Sequence, residues 1–448
     1  MLKSQEYQEH INMPALTVGV EDKLPPLRNF LYALQHVFVS NVWLDPIFVA
    51  AMIGLPVALS ANMVNAIFIA AGLVTLTQAT RLARLPIVQG PSAAFDTLMI
   101  NAGKANSLPA AGGSIILSAI IVFILAVTGV LDRLRVLFSK AVTGSVIIAV
   151  GIALSGFTLF EFLGGSQGMD TFLAPHILAI SIPTALIVTC LSLFGKGYFR
   201  TYAFLIALVI GDIIAAGLGQ IHLEAIADKA WFGLPSFLPY GALTIDGTTF
   251  VTFFIGYIVA VIEAMGVYHA ASEMANITLD SKRIRNGFAG EAVGSMVSTL
   301  IGGFPTTAYA QNVGLLRLTG VGSRYTVMLA GVIFLVLGFI PKAGALLAVT
   351  PDAVVGGIFL PAAASLIYTG LSTIGSMEKT EANYMIAGFS ILLSVSLPNA
   401  IKGMTGHLGD FLSNGIMIGA STAILLQLLL VMIPNWLRPM KGGNQGEG

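Results

Sequence analysis

The chain has 448 residues, of which 56% are apolar and only 10% are charged. A soluble globular domain carries about 25% charged residues, so this chain has too little charge to cover a surface that faces water. The 22 basic residues are balanced by 22 acidic ones, which excludes the basic face of a nucleic-acid-binding protein. The single cysteine, Cys190, excludes a disulfide framework and a cysteine metal cluster. The composition predicts an integral membrane protein with many spans.

A polar segment, residues 1–28, precedes the first apolar run and has no signal-peptide pattern, so we expect it to be a tail. Fourteen apolar runs follow, most of them near the roughly 20 residues that a membrane-crossing helix needs. They lie near 30–53, 58–80, 86–102, 113–131, 138–160, 173–195, 200–219, 249–274, 287–302, 306–321, 324–345, 351–374, 382–399 and 411–435. The sequence therefore predicts a polytopic protein with fourteen spans.

The basic residues orient these spans. With the N-terminus in the cytoplasm, eighteen Lys and Arg residues fall in inner segments, and only Lys104, Lys229, Lys342 and Lys402 fall in outer ones. Cytoplasmic loops carry such an excess of positive charge. Both termini are therefore predicted to be cytoplasmic, in a plasma membrane or a bacterial inner membrane. A missed pair of spans would leave this asymmetry unchanged.

An internal repeat divides the chain into two halves of seven spans. The longest connection, residues 221–248, lies at the midpoint, and an odd number of spans per half forces the halves to be inverted. The sequence PSAAF at 91–95, in the third span, matches PTTAY at 305–309, in the tenth. These are corresponding spans of the two halves, so an inverted repeat is predicted.

Both repeat segments are poor helix formers, because proline and glycine stand beside hydroxyl and β-branched residues. Non-helical backbone at membrane depth survives only where protein or a water-filled cavity satisfies its polar groups. We therefore predict two short extended segments that meet near mid-membrane, each followed by a half-helix whose N-terminal amides face a cavity. The alternative is a pair of proline kinks that only help helices to pack.

Ionisable side chains inside spans are costly and indicate function. Glu263 lies centrally in the eighth span, where it binds a ligand, carries a proton or makes a structural hydrogen bond. Gln311 and Asn312 open the half-helix of the tenth span, and a primary amide such as that of Gln311 can hold a bidentate partner. His36, in the first span, either relays protons or orients a neighbour.

Four further acidic residues lie within or near spans. Asp96 follows the first repeat segment and is placed to approach the cavity, and Glu291 precedes the second break. Asp45 and Asp212 are expected near span ends, with a solvated or structural role. No phosphate loop, His-Glu-x-x-His motif or serine elbow is present in the sequence. Secondary transport or a channel remains, and no enzyme activity is expected.

Four motifs resemble those of the nucleobase–ascorbate transporters, the nucleobase:cation symporter-2 family of xanthine and uracil permeases. Residues 311–320 (QNVGLLRLTG) fit the family motif Gln/Glu-Asn-x-Gly, four residues, then Thr-Gly/Arg/Lys. Gln35-His36 is similar to a Gln-His pair in its first span. The sequence EAMG at 263–266 resembles its acidic motif in the eighth span, and GPSAAF at 90–95 resembles its strand in the third.

The resemblance implies an all-α fold of seven plus seven inverted spans, with two short strands in spans 3 and 10. A core domain would move against a dimerised gate domain like an elevator, driven by proton or sometimes sodium symport, with no other cofactor. Its partners would be a nucleobase, membrane lipid and a second copy of the chain. The implied divisions are an N-terminal tail 1–28, core 29–135, gate 136–220, connection 221–248, core 249–346, gate 347–437 and a C-terminal tail 438–448.

The resemblance also implies the residues of the substrate site. The base would lie between the two strands, held by Glu263 and Gln311 and by backbone amides near Ala93 and Ala310, with Ser92 and Asn312 beside them. Glutamine at position 311 is typical of xanthine and urate carriers, and glutamate of uracil carriers. Proton coupling would fall to Glu263, His36 or Glu291.

Two departures from the family pattern keep alternatives open. The family commonly has Asp or His four residues after the eighth-span glutamate, where this chain has Val267, so an uncoupled nucleobase facilitator or channel is the second hypothesis. Ala93 stands where some members carry an aromatic residue, which widens the expected pocket and leaves the choice of base open. A uracil permease of the same fold is a further alternative. An anion carrier of related fold is disfavoured, since no Lys or Arg adjoins either strand.

Overall fold

The structure is a computed structural model that describes residues 16–221, 224–227, 229–401 and 412–434. The C-terminal tail 438–448, most of the N-terminal tail and Lys402 lie outside these ranges. The helices are α1 (Pro26–Ser40), α2 (Leu44–Met52), α3 (Val57–Thr80), α4 (Asp96–Lys104), α5 (Leu108–Val127), α6 (Val130–Leu134), α7 (Lys140–Leu163), α8 (Pro175–Phe194), α9 (Tyr198–Thr201), α10 (Ala203–Gly217), α11 (Glu224–Ala227), α12 (Gly247–Met274), α13 (Ser281–Leu300), α14 (Ala310–Thr319), α15 (Arg324–Gly338), α16 (Pro341–Ala348), α17 (Asp352–Gly375), α18 (Glu381–Ala400) and α19 (Gly415–Gln427), which continues in a π-helical turn. The two strands are β1 (Gln89–Pro91) and β2 (Thr306–Ala308).

Seven of the described helices are long and apolar enough to cross a membrane, or eight if α15 and α16 form one bent span. This establishes a mostly helical membrane protein. Every predicted span overlaps described helices, but the count of fourteen and the inverted repeat remain predictions.

Several predicted spans are not single helices, and two of the breaks have a clear local cause. The run at 30–53 forms α1 and α2, because Asn41 adopts a left-handed conformation, with φ of 52°, that ends the first helix. The run at 324–345 forms α15 and α16, which bend by 82° where Pro341 starts the second helix. Apolar length alone therefore predicted continuous helices where local backbone chemistry breaks them.

The strands pair with each other in antiparallel fashion, although more than two hundred residues separate them. Gln89 lies opposite Ala308, and Pro91 lies opposite Thr306. The Ser92 amide donates to the Pro305 carbonyl at 2.9 Å and extends the pairing by one bond. The structure therefore confirms the two predicted extended segments, and their pairing joins the halves of the chain.

Three pairs of helices cross closely. Helix α3 packs against α15, α5 against α13, and α7 against α17. At the first crossing a Cβ on Gly72 would stand 2.7 Å from the Gly331 carbonyl oxygen, so the backbones touch. Small residues allow such approach in membrane proteins. In the predicted scheme these pairs are spans 2 and 11, 4 and 9, and 5 and 12. A repeat of seven spans relates the first pair to the second, and it relates the two members of the third pair to each other.

A strap formed by residues 17–22 covers one end of α14. The Val18 amide donates to the Gly320 carbonyl at 3.1 Å, and the Gly322 amide donates to the Val18 carbonyl at 2.9 Å. The Glu21 carboxylate accepts from Arg324 at 2.7 Å and from Arg84 at 2.8 Å. The hydrogen bond from Arg324 is the main reason that the pKa of Glu21 lies below its ordinary value. The strap ties the tail to both repeat halves.

Candidate functional site

Three helices hold the strands in place through polar contacts. The backbone amide of Gln89 donates to the Thr75 hydroxyl on α3 at 2.9 Å, and the backbone amide of Thr306 donates to the Ser295 hydroxyl on α13 at 3.1 Å. The Thr307 hydroxyl donates to the Ala260 carbonyl on α12 at 3.4 Å. The hydroxyls of Thr75 and Ser295 satisfy backbone groups that the two short strands leave unpaired, as non-helical backbone inside a membrane requires, and Thr307 anchors β2 to α12.

Each strand leads into a half-helix. A 3-10 turn at Ala93–Phe95 precedes α4, and α14 begins at Ala310. Each half-helix starts five residues after the proline aligned in the repeat, at 91 and 305. The first turn of a helix leaves amide N–H groups free for a ligand, with the positive end of the helix dipole behind them. Ala93 is half-buried and Ala310 is exposed, so the two helix starts are accessible.

Glu263 and Gln311 are accessible beside these helix starts. Glu263 is half-buried on α12 between buried neighbours, and Gln311 is exposed on the first turn of α14. Neither side chain hydrogen-bonds to another part of the chain that the structure describes. Ser92 is fully buried, and its hydroxyl likewise has no partner among the described residues. The site thus offers one carboxyl and one primary amide that are free to meet a ligand.

Asn312 is tied to the first span. Its amide nitrogen lies 3.0 Å from the His36 carbonyl oxygen and 3.1 Å from His36 Nδ1. Because a carbonyl only accepts, the contacting atom of Asn312 is the NH2 group, so Nδ1 accepts as well and the ring is neutral with its proton on Nε2. This geometry supports the orienting role for His36 over the proton relay.

Glu291 belongs to a separate hydrogen-bonded group behind the strands. The Tyr268 hydroxyl donates to its carboxylate at 2.8 Å, and the Gln78 amide nitrogen lies 3.2 Å from the same hydroxyl. Gln78 also donates to the Gly287 carbonyl at 2.7 Å. Glu291 is 4% exposed. It therefore stands inside a packed network between α3, α12 and α13.

Asp45 is buried against Tyr309, so the solvated role expected from sequence is wrong, whereas the structural role remains. It is 9% exposed, and its carboxylate accepts a hydrogen bond from the Tyr309 hydroxyl at 3.0 Å. The contact joins residues that are 264 positions apart in the chain, and no apolar pattern reveals it. Tyr309 also escaped notice as a polar group, because in the repeat it counted only as an aromatic. Asp212 is half-buried and pairs with Thr350.

Apolar helices, two strands paired among them and a polar site at the starts of two half-helices define a membrane transport protein. The chain belongs to the permease family, whose model, Xan_ur_permease, matches residues 27–403. It is a transporter and not an enzyme, and the resemblance found in its motifs is confirmed.

The sequence similarity to known relatives extends over nearly the whole chain. It is 29% identical over 410 residues to the uric acid permease PucK of Bacillus subtilis, covering 89% of this chain and 95% of the relative. It is 28% identical over 406 residues to the xanthine permease of the same organism, covering 88% and 92%. Both relatives are named as carriers of oxidised purines.

A solved structure shares the fold. The transmembrane domain of the cyanobacterial bicarbonate transporter BicA matches with a TM-score of 0.60 at 15% identity, covering 93% of this chain and 99% of that domain. At this identity the likeness concerns the architecture alone. It shows that the arrangement of helices around paired strands is that of a known membrane transporter.

Proposed function

We propose that the protein takes up an oxopurine, xanthine or urate, by proton symport. One observation carries the proposal: Glu263 and Gln311 are accessible and unpartnered beside two helix starts whose amides are free. An oxopurine is flat and alternates N–H donors with carbonyl acceptors. The primary amide of Gln311 can donate and accept at once, and the carboxylate of Glu263 can accept from ring N–H groups.

The backbone supports the same ligand class. Amides near Ala93 and Ala310 approach from opposite strands, so they can donate to carbonyl oxygens on two edges of one ring. No described Lys or Arg forms an ion pair with the carboxyls at the strands. Such a site suits a neutral planar base more than a small inorganic anion. The relatives named for uric acid and xanthine favour a purine over uracil.

The proposed movement is an elevator-like displacement of the core, residues 29–135 and 249–346, against the gate, residues 136–220 and 347–437. The gate helices α7 and α17 cross closely, since a Cβ on Gly144 would lie 2.9 Å from the Gly370 carbonyl oxygen. Such a compact gate can serve as the fixed partner of a moving core, and we propose that two gates form a homodimer. Both termini are proposed to be cytoplasmic.

Uptake of labelled xanthine in cells without their own nucleobase carriers tests the proposal. Unlabelled urate, uracil and guanine serve as competitors, and a protonophore removes the proton gradient. We expect concentrative xanthine uptake that urate inhibits and that collapses with the protonophore. Uptake of uracil without xanthine would overturn the assignment of Gln311 as the purine reader. Xanthine flux that equilibrates and ignores the protonophore would instead show an uncoupled facilitator.

A further inference from the structure

The residue that the transport scheme leaves unexplained is Asp96, the first residue of α4. Its side chain is 0% exposed, and neither carboxyl oxygen has a hydrogen-bond partner among the described residues. A buried ionised carboxylate without a partner is strongly unfavourable. Asp96 follows Ala93 by three residues. Side chains three residues apart in a helical turn lie on the same face, so Asp96 and Ala93 share a face. An unpartnered acid at this depth requires a ligand or a proton.

The groups that face Asp96 are acidic or neutral. Asp45 on α2 and Glu263 on α12 are close enough to repel its charge, and Tyr309 lies within the field of all three carboxyls. Tyr257 reaches the same region through its ring contact with Phe95. The nearest cation on its own helix, Lys104, lies at the far end, over the rings of Phe157 and Phe160. Helix α5 contributes no ionisable side chain.

Tyr309 connects Asp45 to the two strands and to α14, the half-helix that carries Gln311. Its hydroxyl donates to Asp45, and its backbone amide donates to the Val88 carbonyl at 3.0 Å, just before β1. Its ring packs over Gly90, where a Cβ would stand 2.7 Å from the ring. Tyr309 is also the residue immediately before α14. A change of charge at Asp45 or Asp96 therefore acts on a residue that touches both strands and positions Gln311.

We propose that Asp96 and Asp45, which both lie near Tyr309, form the buried pair that binds the coupling proton. This inference rests on the proposed function as a proton symporter and names the site of its proton. One proton from the outer solution adds to a carboxylate of the pair, giving a carboxylic acid, and the same proton leaves to the cytoplasm after the base is released. Two like charges at this site cannot both persist without a cation, so one of the two acids holds a proton. The valine at position 267 is then compatible with proton coupling, because acids in spans 1 and 3 carry the proton.

Reconstituted full-length protein tests the pair. Proteoliposomes preloaded with unlabelled xanthine measure counterflow of labelled xanthine without a proton gradient, and empty proteoliposomes with an acidic exterior measure gradient-driven uptake. The Asp96→Asn variant is isosteric and permanently neutral. We expect the ratio of gradient-driven uptake to counterflow to fall about tenfold, within the usual range of coupling between two sites. The matched control Asp212→Asn, at a half-buried acid on α10, should keep the wild-type ratio.

A second variant covers the case in which Asp96→Asn does not fold. Tyr309→Phe removes only the hydroxyl that donates to Asp45, and it should move the external pH of half-maximal uptake by about one unit. A wild-type ratio in Asp96→Asn, or a wild-type pH profile in Tyr309→Phe when Asp96→Asn is unfolded, overturns the pair. Wild-type protein that exchanges xanthine but ignores the gradient overturns the pair and leaves the substrate assignment standing. Failure to exchange either xanthine or urate overturns the proposed function itself.

Discussion

A free carboxyl on α12 is the chemical centre of the proposed site. Glu263 has no hydrogen-bond partner among the described residues and faces accessible space next to α14. Its carboxylate can accept from ring N–H groups, whereas an amide in its place would present a donor as well. The charge and the acceptor pattern of this side chain therefore both bear on binding.

Replacing Glu263 by glutamine should abolish concentrative uptake while the protein still reaches the membrane. Loss of one charge-assisted hydrogen bond costs about 1.5–3 kcal/mol, or roughly 10- to 150-fold in affinity. Labelled-xanthine uptake and surface quantification measure the two effects. Glu273→Gln, an exposed position on the same helix, is the matched control and should transport normally. Undiminished uptake by Glu263→Gln would remove this residue from the site.

The exposed amide of Gln311 should decide which base is bound. Gln311→Glu replaces a group that donates and accepts by one that only accepts, so bases that need a donor at that edge lose a hydrogen bond. We expect the competition profile to move from urate and xanthine toward uracil, by about 10-fold for a lost partner at a built site. Inhibition constants for the three bases measure it. An unchanged order of competitors would contradict the role of Gln311.

At the scale of residues, the sequence predicted groups whose chemistry is rare inside a membrane. Glu263, Gln311 and Asn312 stood out because polar side chains at mid-span are costly. The partners of these groups could not be predicted, because Tyr309 and Asp45 meet only through tertiary packing. The neutral state of His36 likewise follows from a contact between residues 36 and 312 that no local pattern encodes.

Helix crossings at glycine control how tightly the elements pack. The α3–α15 crossing leaves no room for a methyl group at Gly72, whose Cβ would also lie 2.7 Å from the Leu335 amide nitrogen. Backbone atoms cannot move aside as a flexible side chain can. Crossings of this kind fix the distance between elements from the two ends of the chain.

Gly72→Ala should lower thermal stability by about 1–3 kcal/mol, because the crossing must open to accept the methyl group. Size-exclusion chromatography of protein heated in detergent measures the loss. Gly388→Ala, in the middle of α18 with no atom within 4 Å of the added Cβ, is the matched control. There the higher helix propensity of alanine should give no loss. Equal stabilities for the two variants would contradict the tight crossing.

At the scale of elements, repeat and breaker patterns predicted the strands and the half-helices well. Both rest on local chemistry, since Pro91 and Pro305 stand beside glycine, hydroxyl and β-branched residues that also disfavour a helix. The division of 30–53 into α1 and α2 was missed, because Asn41 is a weak breaker whose left-handed conformation depends on its surroundings. The register between β1 and β2 joins distant segments and likewise follows from packing.

The strap of residues 17–22 acts on the molecule as a whole, because Glu21 holds Arg84 from one half and Arg324 from the other. Glu21 is 55% exposed, so the pairs contribute modestly, about 1 kcal/mol or less. The folded-state pKa of Glu21 lies below the ordinary 4.5, mainly through Arg324. A carboxyl with a lowered pKa stabilises the fold above its unfolded-state pKa, and this stabilisation is lost as pH falls through the folded-state value.

Glu21→Gln should therefore melt slightly below wild type at pH 7, and the difference should vanish as the pH falls below 4.5. Thermal unfolding of both proteins in detergent between pH 7 and pH 3 measures it. High salt should shrink the difference at pH 7 as well, since exposed pairs are screened. A difference that grows toward low pH would contradict the ionic nature of the strap.

At the scale of the molecule, composition and charge asymmetry predicted a membrane protein, and motif spacing predicted its family. These signals are spread over the whole chain, so an error in the bounds of a single predicted span does not change them. Orientation, dimerisation and the movement of the core depend on the bilayer and on a second copy, which one sequence does not contain.

The pairing of β1 with β2 also fixes the order in which the protein can become active as it is made. Pro91 meets Thr306, which is synthesised 215 residues later. At about 5–20 residues per second the first strand waits roughly 10–40 s for its partner. During that time its polar backbone sits in the membrane or its insertion machinery without its final hydrogen bonds. A chain that stops before α14 lacks Gln311 and half of the proposed site, which can therefore form only late in synthesis.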